Sequence, residues 1–115
     1  MRRLIVAIAA LVSLAACASQ QEPTPQQALA EDGREIAEAQ CARCHAVGPI
    51  GESPNTQAPP FRTVLANYHS DVLKEELIEG IRVNHEMPEF QLNPQGVDAL
   101  IAYLQSIQQP ATPAN

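Results

Sequence analysis

An all-α domain of three to five helices is expected from three features of this 115-residue chain. Apolar residues recur at helical spacing in two stretches: Leu73, Leu77, Ile78 and Ile81, then Val97, Leu100, Ile101, Leu104 and Ile107. Each stretch follows a start signal. Ser70-Asp71 reads as a capping pair for a helix over 72–81, and Asn93-Pro94 supplies a capping side chain followed by proline at the first helical position. No segment alternates polar and apolar residues strongly enough to argue for a strand.

The elements follow in chain order. Met1-Arg2-Arg3 is a short basic stretch, and Leu4 to Ala16 is an apolar or small run. That run is too short for a membrane-spanning helix, which needs about 20 residues, but it suits the apolar region of a secretory signal covering 1–16. It ends in Leu14-Ala15-Ala16-Cys17, which resembles the bacterial lipobox, so Cys17 is the expected lipid attachment site. Such an anchor accounts for the odd cysteine of an exported chain. Ala18 follows it where an aspartate would favour retention at the inner membrane, which points weakly to the outer one. Residues 17–30 (CASQQEPTPQQALA) are polar and proline-bearing and read as a flexible tether.

A single domain is expected over 31–109. Glu31 to Cys44 lacks proline and forms its first helix, with Glu31 and Asp32 placed where the helix dipole favours acids. Residues 47–60 hold four prolines and two glycines and must be an extended loop. Phe61 to Asn67 suits a short helix, the two stretches above supply the remaining ones, and 110–115 is an unstructured tail.

Removal of residues 1–16 would leave five basic residues against all 13 acidic ones, a formal charge of −8. A nucleic-acid partner, which requires a basic face, is excluded on that ground. The same cut leaves Met87 as the sole methionine, four aromatics and no tryptophan. A domain this small is marginal on its core alone, so something else is expected to fill the interior.

The chemistry concentrates in Cys41-Ala42-Arg43-Cys44-His45. Zinc would need a second pair of ligands, and His69 and His85 have no finger spacing. A thioredoxin-like pair expects a strand ahead of it and a βαβ context, where this chain is helical. A disulfide across two residues closes too small a loop to stabilise much. Cys-x-x-Cys-His is also the attachment sequence of c-type haem. One turn of chain separates the two sulfurs by about the distance between the haem vinyl groups, and the next residue brings its imidazole under the iron. Haem c is the cofactor expected here, one per chain and covalent. Its iron has a second face, for which Met87 is the candidate, stiffened by Pro88. His85 is the rival, with an exposed or hydrogen-bonded ring as its ordinary fate, and His69 is expected at the surface.

With these residues the chain resembles a class I cytochrome c, over about 31–108. Gly33 lies eight residues before Cys41, where that family has a glycine on its first helix, and Leu100-Ile101-Ala102-Tyr103-Leu104 is similar to its last helix, whose tyrosine packs across that glycine. Ala58-Pro59-Pro60-Phe61 is similar to the family's Gly-Pro-x-Leu stretch. The resemblance implies a small cytochrome c fold wrapped around one haem, with the Pro59 carbonyl accepting a hydrogen bond from the free ring nitrogen of His45, and Met87-Pro88 as the distal segment. Ala37 stands where the family often has an aromatic, and Ala58 replaces a glycine.

With His45 and Met87 both on the iron, no position remains for substrate. The expected function is that of an electron carrier rather than an enzyme, lipid-tethered on the periplasmic side of a bacterial membrane and cycling between Fe(II) and Fe(III). Its acidic balance suits redox partners with a basic docking patch. The alternatives are a haem peroxidase or gas sensor with a labile Met87, and a cytochrome subunit of a larger dehydrogenase or oxidase complex.

Overall fold

The computed structural model describes residues 22–83, 85–88 and 92–110; the expected signal segment and Cys17 lie outside the described residues. Four helices carry the domain: α1 (Pro25–Gln40), α2 (Phe61–Val64), α3 (Ser70–Glu79) and α4 (Pro94–Ile107). There is no strand among the described residues, as the patterning required. None of the helices is long and apolar enough to cross a membrane.

The first helix begins six residues earlier than expected, at Pro25 rather than Glu31, so residues 25–30 are helical. The cause is local. Thr24 caps the helix with its hydroxyl oxygen on the Gln27 backbone N–H at 3.2 Å, and Gln27 Oε1 accepts from the Thr24 N–H at 2.8 Å. With Pro25 at the first helical position this is a complete capping box. Glu31 and Asp32 therefore sit past the first turn, away from the dipole's reach. Glu31 instead pairs with Arg34, which also reaches Glu38 one turn on. The helix ends at Gln40, short of the expected Cys44, and passes into tight turns: the N–H groups of Cys44 and His45 both bond to the Cys41 carbonyl, at 3.1 and 2.9 Å.

The last helix is the centre of the molecule. Val97 and every residue from Ala99 to Leu104 are buried, so this helix is covered nearly all round. Asn93 caps it through Oδ1 on the Gly96 N–H at 2.7 Å, as its sequence signalled. Across it lies α1, at a distance that only glycine permits. A Cβ on Gly33 would stand 1.9 Å from the Ala99 carbonyl oxygen. The nearest atoms at Gly33 are thus the backbone of Ala99 and Leu100, not the Tyr103 ring. Tyr103 lies one turn further on and donates its hydroxyl to the Val47 carbonyl at 2.8 Å. Ala37, fully buried, completes the small surface of α1 that allows the approach.

Helix α3 starts at Ser70 with His69 in the capping position and no side-chain cap, so Ser70 is the first helical residue rather than the cap. It ends at Gly80, whose φ of +114° is readily reached only without a side chain. Leu73 and Leu77 face the core, whereas Ile78 is 45% exposed, and Ile81 falls beyond the helix. Lys74 pairs with Asp98, tying α3 to α4. At the other end, Gln108 donates through Nε2 to the carbonyls of Phe61 (2.7 Å) and Leu104 (2.9 Å), and its Oε1 accepts from the Leu65 N–H (3.0 Å). This side chain and the Gln109 N–H, which bonds to the Arg62 carbonyl at 2.8 Å, tie the short α2 to the C-terminus of α4.

Candidate functional site

Between these helices lies a cavity of about 520 Å³, in the size range of cofactor sites. It is lined by the turn after α1, bearing Cys41, Cys44 and His45, and by the segment with Val83, His85, Met87 and Pro88. Phe61, Val64, Leu73, Leu77, Leu100 and Leu104 close it with apolar surface. Interiors are close-packed, with few voids larger than a water molecule. A largely apolar space of this size within so small a core has room for a large apolar guest.

The motif's wall is held in place by the loop of 47–60, which folds back over it. The Asn55 N–H bonds to the Cys44 carbonyl at 3.1 Å, the Ala46 N–H to Ser53 Oγ at 3.0 Å, and the Phe61 N–H to the Ala46 carbonyl at 2.9 Å. His45 is 7% exposed. Its Nδ1 lies 2.7 Å from the Pro59 carbonyl oxygen, which can only accept, so Nδ1 carries the proton and Nε2 is left as a lone-pair donor. That contact also orients the ring and strengthens it as a ligand. Phe61 packs against it, ring centroids 5.0 Å apart. Burial is the main influence on His45, holding its pKa below the ordinary imidazole value and the ring in its neutral, metal-binding form.

The chemistry of the sulfurs narrows the readings of the motif. Cys41 and Cys44 are not joined to each other. Burial pushes the Cys41 thiol up to about 11, so at neutral pH it is S–H rather than the thiolate that redox exchange requires. Among the described residues no group of three or more His, Cys, Asp and Glu side chains is gathered as for a metal ion. Two partly buried thiols beside one buried imidazole, all lining a largely apolar cavity, fit a covalently held haem.

The structure thus brings together Cys41, Cys44, His45, Pro59 and Met87 around one space. Of the apolar stripe on 72–81, Leu73, Leu77 and Ile81 line it and Ile78 does not. His69 is exposed, as expected. His85 departs from its expected fate, since it lines the cavity and its buried Nε2 has no hydrogen-bond partner among the described residues. Ser53 and Asn55 were not singled out in the sequence, because a polar residue in a proline-rich loop carries no signal of which backbone group it will meet.

The family model for cytochrome c oxidase, cbb3-type, subunit III matches residues 28–104. The chain belongs to that family. No curated protein matches it significantly. The family, the Cys-x-x-Cys-His motif and the four-helix fold together make this a c-type-cytochrome-like domain, a haem-binding electron-transfer module. The match begins inside α1 and ends on Leu104, spanning the described domain from the first helix to the last. Membership moves the weight of interpretation from a free-standing carrier to the alternative of a cytochrome subunit.

Proposed function

We propose that this chain is the haem c-bearing electron-transfer subunit of a larger oxidase complex, held at the periplasmic face of a membrane. Cys41 and Cys44 would hold the haem covalently, each thiol S–H adding across a vinyl group, sulfur to one carbon and hydrogen to the other. His45, its ring fixed by Pro59, and Met87 would hold the iron. The bound haem supplies a one-electron Fe(II)/Fe(III) couple, and thioether ligation raises its potential. The residues do the rest. Apolar side chains of α3 and α4 keep water from the metal, and two filled axial positions leave no place for substrate. The observation that carries this reading is the His45 Nδ1–Pro59 contact of 2.7 Å, which turns Nε2 of a motif histidine toward a cavity flanked by both motif cysteines.

The test is production in a host with haem-attachment machinery. Intact mass should show a single added haem, and the oxidised protein should show the weak red-edge sulfur-to-iron band, lost in Met87→Ala. Native purification from the source membrane should recover the chain with the other oxidase subunits. Recovery of the chain alone would favour the independent tethered carrier, and ready carbon monoxide binding at neutral pH would favour a sensor or peroxidase. Cys17 is proposed as the lipid anchor, and Cys17→Ser should release the protein from membranes.

A further inference from the structure

Two buried side-chain atoms lack a hydrogen-bond partner among the described residues: Glu76 Oε2 on α3 and His85 Nε2. The first lies outside the cavity lining, and the second lies within it. A buried polar atom left unpaired costs about 1–3 kcal/mol, so such an atom calls for a partner. The His85 ring stands nearly edge-on to that of His45, centroids 5.3 Å apart and planes at 70°. Two residues on, Met87 lines the same cavity; Glu86 between them also borders it but is mostly exposed. The segment therefore presents two donors of different softness to one space, opposite a histidine whose other nitrogen is already engaged.

We propose that His85 is a second distal donor: when Met87 leaves, His85 Nε2 takes its place on the iron, opposite His45. The proposal rests on the haem reading above and deepens it. Imidazole is an ordinary ligand for iron, and softness determines the preference between the two donors. Thioether suits the reduced ion, and the ring nitrogen suits the oxidised one. The consequence is a site that stays six-coordinate and closed to small ligands even when its only thioether is lost.

The test compares haem-loaded Met87→Ala, His85→Ala and the double variant, each checked for covalent haem by mass and for helicity by circular dichroism. Met87→Ala should lose the sulfur band yet stay low-spin in the oxidised state, with the electron paramagnetic signature of two imidazoles. The double variant should be high-spin. Carbon monoxide should bind Met87→Ala at least about tenfold more weakly than the double variant, because only the fraction with His85 off is competent. A Met87→Ala protein that has lost the band and is as high-spin and open as the double variant overturns this proposal and leaves the Met87 assignment standing. A band that survives in Met87→Ala, or a chain without haem, overturns both. Oxidising Met87 to its sulfoxide with chloramine-T gives an independent reading on unaltered backbone. Wild type should remain low-spin and His85→Ala become high-spin; the same high-spin state in both overturns the proposal.

Discussion

Gly33 and Tyr103 do different work on the same helix contact. A methyl group at Gly33 would meet the Ala99 carbonyl oxygen at 1.9 Å, and that oxygen belongs to a helix backbone that cannot swing aside. Gly33→Ala gains about 1 kcal/mol of helix propensity. Against that, prising two packed helices apart costs more, of the order of 1–3 kcal/mol for overpacking and upward where backbone must move. Denaturant unfolding of the haem-loaded protein should show a net loss. Tyr103→Phe removes one hydrogen bond and leaves the Val47 carbonyl short of a donor, a loss of about 0.5–1.5 kcal/mol by the same measurement. Burial raises the Tyr103 pKa above its ordinary value. The folded state therefore keeps this proton after the unfolded chain has released it. The resulting stability is complete below about pH 10 and is lost as pH rises beyond it. Wild type should lose stability more steeply than Tyr103→Phe on that alkaline limb.

Helix ends determine where the domain begins and how its parts are joined. The capping box at Thr24 places the start of α1 within a stretch whose prolines and glutamines suggest a linker. Thr24→Ala should cost about 1 kcal/mol and raise amide exchange in residues 26–28. At the far end, Gln108 makes three hydrogen bonds to α2, the residue that follows it and the last turn of α4. It is partly buried, so Gln108→Ala strands a donor and acceptors with limited access to water, and a loss of roughly 1–3 kcal/mol is expected. The measurement that checks both is the urea midpoint, with Gln108→Ala the lower of the two. A larger effect from Thr24→Ala would mean that the end of α4 is not what secures α2.

At the scale of the whole molecule the cavity dominates. About 520 Å³ of space separates Leu73 and Leu77 of α3 from the motif turn, and the core on either side is thin. A domain of this size has little stability to spare. Cys41→Ala/Cys44→Ala, which cannot hold haem covalently, should therefore lose the sharp cooperative melt of the loaded protein. Its far-ultraviolet helix signal should fall and its near-ultraviolet signal should flatten. A cooperative melt near the loaded protein's temperature would show that the helices support each other without the guest.

Several features were legible before any coordinates. The Cys-x-x-Cys-His motif occupies five adjacent residues, and helical period and capping are local properties, so α4, its Asn93 cap and the Cys41–His45 motif could be read directly. The start of α1 was also written locally, in Thr24 and Gln27, but lay hidden in a composition that suggested a tether. Other features depend on residues far apart in the chain and had to await the folded arrangement. Ile78 shares a helical stripe with Leu73 and Leu77 yet faces outward, because which part of a stripe is covered depends on where α4 lies. His85 carries no mark of its destination; only the closing of the 85–88 segment over the motif turn brings its ring to His45. A short stretch can specify its own backbone and its own chemistry, whereas the partner that each exposed group finds is set by the packing of the whole chain.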